Sequence, residues 1–279
     1  MEYLHLKFIL FLIPFIVLFT YASFTASAGY ITIKTETTVV VDDSNLKVKA
    51  VVTNEGDESA FNIQININEN QRIQFSQIKQ VLAVKENFEY EANYSLPQTK
   101  HGRYPLIITV DYTDANQYPF TALTGTYYSF GSDTVSKVFG SANDIRLTGH
   151  STLPLKLKNI DEESKEVLIR LIVPKESSVQ EKVKKVTIQP RSEVNTIFNI
   201  SNFSALPGSR YQVFFILEYE DENKHYSNII PCSIHVDASK GFFKRYKWYI
   251  IAGSSVIFVV LIVFQFVPRK RSSLGKQNT

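Results

Sequence analysis

Apolar and polar residues alternate with period two along two long stretches of the chain, "GRYPLIITVDYTDANQY" (Gly102–Tyr118) and "SRYQVFFILEYEDENKHY" (Ser209–Tyr226). Period two is the signature of a strand, because successive side chains of an extended backbone point to opposite faces. One face of the first stretch carries Tyr104, Leu106, Ile108, Val110 and Tyr112; one face of the second carries Tyr211, Val213, Phe215, Leu217 and Tyr219. From Tyr104 to Tyr211 the spacing is 107 residues. A second matching pair begins at Leu46 ("LKVKAVVTNEGDESAFNIQINI") and Leu153 ("LPLKLKNIDEESKEVLIRLIV"), with Asn54 opposite Asn159 at a spacing of 105. Two anchors at nearly one spacing predict tandem domains.

Each copy reads as about seven strands at intervals of about 10–15 residues. In the second they fall near Arg146–Thr148, Thr152–Lys158, Glu166–Val173, Lys184–Gln189, Asn195–Asn202, Arg210–Glu220 and Tyr226–Val236. Useful helical periodicity is absent between residues 29 and 239. The pattern predicts an all-β chain of two antiparallel β-sandwiches, over 29–130 and 145–239, joined by a Gly-, Ser- and Asp-rich linker over 131–144.

The chain ends follow other rules. An apolar run from Phe8 to Phe19 leads to Ala26-Ser27-Ala28, the layout of a secretory signal peptide over 1–28. The weakly basic start, Lys7 against Glu2, leaves an uncleaved signal anchor open. "WYIIAGSSVIFVVLIVFQFV" (Trp248–Val267) carries no charge, and twenty residues at about 1.5 Å each span roughly the 30 Å of a bilayer core. This predicts a single transmembrane helix with a basic cytoplasmic tail over 268–279 and the bulk of the chain outside the cytoplasm. A cell-wall sorting signal fits less well, since no LPxTG-type motif precedes the run.

Charge changes the picture once it is located. The chain is formally +3, yet nine of its 30 Lys and Arg flank the two apolar runs, while 26 of its 27 acidic residues lie between Gly29 and Ser239. The basic excess therefore suits a lipid surface and argues against nucleic acid as a partner. The one cysteine, Cys232, excludes an intrachain disulfide framework, so the sandwiches must hold themselves by core burial.

Two segments carry a family resemblance. "FNISNFSALPGSRYQVFFILEY" (Phe198–Tyr219) resembles the E-strand, corner and F-strand of fibronectin type III and related immunoglobulin-like domains, through Leu206, Pro207, Gly208, Tyr211 and Val213. The resemblance implies an Ig-like fold in which Tyr211 is a tyrosine-corner residue, its hydroxyl bonded back to the corner's backbone. Leu96, Pro97, Gly102 and Tyr104 keep the same order in the first copy with a longer corner. "VVTNEGDESAFNIQI" is similar to the hairpin of CARDB-like and NEW3-like modules through Asn54, Gly56 and Ala60. The second copy has no matching glycine. The overall layout also resembles the translocon-associated β-subunit family, whose members carry one such domain. These likenesses are of fold and transfer no function.

Candidate chemistry is sparse. Asp114 and Asn116, and Glu220, Asp221, Glu222 and Asn223, sit at hairpin tips. They offer too few oxygens for Ca²⁺ and read as turn residues, or as binding loops. Arg103 with Asp111, and Arg210 with Glu218, lie opposite the predicted core face and read as solvent-facing pairs. Tyr127 and Tyr128 suggest an interdomain contact or a glycan-stacking surface. Asn93, Asn199 and Asn202 head N-glycosylation sequons. His101, His150, His225 and His235 have no metal spacing, and nucleophile-elbow and phosphate-loop motifs are missing. Cys232 reads as a packed thiol. The reading is a non-enzymatic membrane protein with no cofactor, metal or small-molecule substrate. Its expected partners are the bilayer and a protein or glycan outside the cytoplasm. The alternative is an accessory subunit of a transport, secretion or translocation complex, held by its helix through Gly253, Ser254 and Ser255.

Overall fold

The computed structural model describes residues 29–97, 100–238, 246–253 and 256. The predicted signal peptide, most of the apolar Trp248–Val267 run and the basic tail lie outside them. The described chain is all-β apart from a helix over residues 246–253. No helix among the described residues is long and apolar enough to cross a membrane.

Residues 33–130 form the first sandwich. One sheet has the order β1 (Ile33–Asp42), β2 (Asn45–Asn54) and β6 (Asn87–Ser95). Facing it, β7 (His101–Thr113) pairs with β8 (Pro119–Phe130) and with β3 (Ala60–Glu69), and β3 also pairs with β4 (Arg72–Phe75) and β5 (Lys79–Leu82). The core lies between the sheets, where alternate residues Leu46, Val48, Ala50 and Val52 meet Ile63, Ile65, Ile67, Leu106, Ile108 and Val110. All of these are fully buried or nearly so, as strict alternation demands of a half-buried sheet.

The second sandwich repeats the plan. One sheet has the order β13 (Ser177–Val179), β15 (Glu193–Asn202), β11 (His150–Asn159) and β9 (Val138–Ala142). Its partner holds β14 (Val183–Ile188), β12 (Lys165–Ile172), β16 (Arg210–Asp221), β17 (Lys224–Val236) and β10 (Ile145–Leu147). Leu153, Leu155, Leu157, Val167, Ile169, Leu171, Val213, Phe215 and Leu217 fill its core, with Phe198 tilted against Phe215 at 5.3 Å between ring centroids. Cys232 packs here as a free buried thiol, and burial pushes its pKa up to about 12. Five of the fourteen residues read as a linker, Val138–Ala142, form a strand of this sandwich. Gly140 and Ser141 suggested a loop, but β9 pairs with β11 over Val138–Ala142.

The repeat extends to single atoms. Asn54 and Asn159 are both fully buried. Asn54 Nδ2 donates to Glu58 O (2.7 Å) and Leu82 O (3.2 Å), and Asn159 Nδ2 donates to Glu163 O (2.8 Å) and Ile188 O (3.2 Å). Each Oδ1 accepts the amide two residues on, from Gly56 (3.0 Å) and Asp161 (2.9 Å). Glycine in the first copy answers to a close approach, because a Cβ at Gly56 would stand 2.3 Å from Tyr30 O. In the second copy that space takes Asp161, which pairs with Lys137 at 3.0 Å.

The sandwiches are joined along one edge. β17 pairs with β7 in parallel, Lys224 with His101 and His225 with Gly102, so one ten-stranded sheet runs through both. Gly102 (φ +153°) permits this, since a Cβ there would lie 2.0 Å from His225 O.

Candidate functional site

The parallel pairing at Gly102 brings three rings into a stack. Tyr104 lies against Tyr128 (centroids 5.4 Å, planes 16° apart) on one side and His225 (4.2 Å, 3°) on the other. Its hydroxyl donates to Lys100 O at 2.8 Å. Burial, reinforced by Glu220 and Glu218, pushes its pKa up to about 12. The Tyr128 hydroxyl donates to Glu69 at 2.6 Å, and Arg72 Nε holds the same carboxylate at 2.8 Å.

Beside the stack, a cavity of about 370 Å³ is lined by Lys100, Tyr104, Arg170, Glu218 and His225 among others. Glu218 pairs with Arg170 at 2.6 Å and approaches His225 Nε2 at 3.5 Å. Burial alone would raise its pKa; His225 and Arg170 together hold it below the usual carboxylate range. Lys100 pairs with Glu220 across the two sandwiches. Opposite charges are thus matched pairwise, and the Lys100–Glu220 pair ties one sandwich to the other. Among the described residues no three His, Cys, Asp or Glu side chains converge as a metal would require.

The seam also takes residues from the strand faces opposite the two cores. Ile107, Leu123, Phe214 and Ile216 point away from their own cores yet are buried. A Cβ on Gly125 would touch Ile229 of the other sandwich at 3.3 Å, and Ser227 Oγ donates to Arg103 O at 2.8 Å. The predicted pairs do not form. Arg103 binds Asp133 (2.7 Å), Asp111 binds Lys175 of the second sandwich (2.5 Å), and Arg210 reaches Asp144 (3.4 Å). Alternation gives the face away from a strand's own core but not what packs on that face.

Tyr127 and Tyr128 lie inside this architecture. The Tyr127 hydroxyl accepts the Ile229 amide, and Tyr128 is buried. Of the hairpin tips, Asp114 Oδ1 accepts the Asn116 and Tyr118 amides (both 2.8 Å) and closes its own turn. Asp221 accepts from the buried Lys165 at 2.6 Å, and Glu222 and Asn223 both have positive φ, as a tight two-residue hairpin needs. At the corner of the second copy, Pro207 is exposed and Gly208 (φ +91°) donates to Val236 O at 2.7 Å. The Tyr211 hydroxyl does not make its expected bond. Among the described residues it is buried without a hydrogen-bond partner. The buried Glu176 faces it, both carboxylate oxygens unpaired, and burial raises the Glu176 pKa.

One exposed feature escaped the sequence reading. Ile73, Phe75, Ile78, Val81 and Val84 are all exposed, and no other stretch of the described sandwiches groups as many large apolar side chains. They lie on β4, β5 and the residues that flank β5, which together form the outer edge of the ten-stranded sheet. At Ser76 the edge is pinned to β3, its hydroxyl accepting the Ile65 amide at 2.9 Å and its own amide donating to Ile65 O at 2.8 Å. Arg72 and Gln74 reach inward to Ser95 O and to Asn93 O (2.6 Å), bracing the edge against the opposite sheet.

No family model matches the chain, and no curated protein does. Solved structures similar to part of it include E. coli alpha-2-macroglobulin in its native conformation (9% identity, TM-score 0.32, 75% of this chain and 17% of that one). Another is red sea bream transglutaminase (7%, 0.27, 72% and 31%). A third is a protein of unknown function from Porphyromonas gingivalis (13%, 0.28, 73% and 99%). The chain spans less than a third of the first two proteins' lengths. Its own sheet order identifies it as a β-sandwich protein.

Proposed function

We propose that this chain is a non-enzymatic interaction protein, anchored in a membrane by the Trp248–Val267 run and displaying two Ig-like sandwiches outside the cytoplasm. The observation that carries the reading is the apolar β4–β5 edge. An edge strand presents unpaired backbone donors and acceptors, and natural proteins avoid lining such an edge with exposed Ile, Phe and Val. The fitting occupant is an extended segment of a partner protein, added as a further strand with its apolar side chains against Ile73 and Phe75. A glycan fits less well, since Tyr127 is taken up by the seam and Tyr128 by the first sandwich's core.

The test places a photo-crosslinking residue at Gln77, exposed on this edge, in the full-length protein in its own membrane. A defined protein adduct that disappears in Phe75→Lys supports the edge. No adduct, or one indifferent to Phe75→Lys, overturns it. Resistance to carbonate extraction checks the anchor separately.

A second reading, an accessory subunit held by its helix, is favoured by one observation. Among the described residues no atom outside its own helix lies within 4 Å of the Gly253 Cβ position, and a small residue there would admit a neighbouring helix. Replacing Gly253, Ser254 and Ser255 with Leu should abolish complex formation on this reading and spare it on the first.

A further inference from the structure

The described chain begins and leaves its sandwiches at one end of the molecule. Gly29–Ile33 and Leu206–Gln212 line the same cleft, of about 670 Å³, between the sandwiches. At the other terminus, Val236 donates to Ser209 O (2.9 Å) and Asp237 to Leu147 O (3.0 Å), so Ala238 is released beside the same corner.

The loop next to this exit, Asn202–Ala205, is closed by its own bonds. Asn202 Nδ2 donates to Ala205 O (3.0 Å), and Asn202 Oδ1 accepts the Ala205 amide (2.7 Å). The amides of Phe203 and Ser204 both donate to Glu176 O, at 2.9 and 3.0 Å. Asn202 is tied to the β10–β11 turn through Gly149 O at 2.7 Å. This bracing holds the Phe203 ring outward at 78% exposure, matching Trp248. Tyr30 (59%) and Tyr118 (40%) are exposed at the same end, and Pro207 joins them. Several exposed aromatic side chains gathered at one end mark an interaction surface, as a single one would not.

We infer that Phe203 and its neighbours form a lipid-facing rim that seats this end of the protein in the interfacial layer of the bilayer. The inference rests on the membrane-anchored reading. The argument for lipid as the occupant is the tether. Seven residues separate Ala238 from Tyr246, and the eight Cα–Cα steps reach at most roughly 28 Å when fully extended. Trp248 and Tyr249, both largely exposed, are residues that settle at the membrane–water boundary. Lys240, Lys244, Arg245 and Lys247 lie in or beside the tether and favour an anionic surface. A short basic tether ending in interfacial aromatics leaves the exit end close to the headgroups. It also sets apart Val135, which is exposed near Thr134, where Thr134 Oγ1 donates to His225 O at the opposite end of β17.

The test uses full-length protein reconstituted in phosphatidylcholine–phosphatidylserine vesicles containing brominated lipid, with an environment-sensitive label at Phe203→Cys or Val135→Cys. The buried native Cys232 should stay unlabelled. The expected result is quenching several-fold stronger at 203 than at 135. Equal, water-like emission at both positions in carbonate-resistant protein overturns the rim and leaves the anchor standing. Release of the protein by carbonate removes the anchor and the rim with it. Phe203→Asp, paired with a label at Pro207→Cys, is the control against label artefacts: it should abolish quenching at 207, and unchanged quenching there would also overturn the rim.

Discussion

Tyr104 and Tyr211 occupy the same position in the two copies, yet they behave in opposite ways. Tyr211 stands in the better match to the corner pattern, and its hydroxyl is buried without a partner. Tyr104 stands in the looser match and makes the backward bond, to Lys100 O at 2.8 Å. The difference follows from what surrounds each ring. Tyr104 is clamped between Tyr128 and His225, a residue of the other sandwich, and its corner is also held by the Lys100–Glu220 pair. Tyr211 lies at the opposite end of the seam, where it meets Glu176 and lines the larger cleft. A motif fixes where a strand begins; the neighbouring domain decides which of its polar atoms find partners.

The largest effect should come from breaking the seam that sets the two corners apart. Gly102→Ala pushes a methyl group into His225 O, and should cost about 3 kcal/mol in denaturant unfolding. Gly208→Ala, at positive φ but with open space around it, should cost about 1 kcal/mol from backbone strain alone. If the two cost the same, the β7–β17 pairing is not a structural joint.

Next come the buried asparagines, where the copies agree. Asn54→Ala and Asn159→Ala each strand several buried backbone groups and should each cost about 2–3 kcal/mol. A large inequality would show that the two hairpins are not energetic equivalents.

Glu176→Gln tests the Tyr211 side. A carboxyl whose folded pKa is raised binds a proton on folding, so stability is greatest below its unfolded pKa and declines as pH rises through the folded value. The glutamine variant should therefore be more stable than the parent at pH 7 and less dependent on pH between 4 and 7, read by melting temperature across that range. The smallest effect is the most direct comparison. Tyr104→Phe should cost about 1 kcal/mol for its lost bond, and Tyr211→Phe should be neutral or stabilising.

Much of this fold is legible in the sequence because alternation is a local property. Every strand expected in the second copy is present, from the one at Ile145–Leu147 to that at Lys224–Val236. What was illegible depends on distant partners. Val138–Ala142 is short and carries Gly140 and Ser141, and becomes a strand only by pairing with β11. Ile107 and Phe214 look solvent-facing by parity and are buried by the other sandwich. The apolar edge is hidden because Gln77 interrupts the alternation of "RIQFSQIKQVLAV", so that no single period runs through Ile73, Phe75, Ile78 and Val81. Gly56 was visible as a glycine, but its reason, the backbone of Tyr30 lying across it, was not.

The β7–β17 pairing also imposes an order of assembly. The paired residues are more than 120 positions apart, and contacts of such separation form late. A chain emerging from its amino end completes the first sandwich while the second is still being made. Phe214 and Ile216 then meet an apolar surface that already exists, instead of waiting exposed for one. On this order the first sandwich would serve as a folding template for the second. A permuted chain that makes the second sandwich first should refold to the same structure but aggregate more on the way.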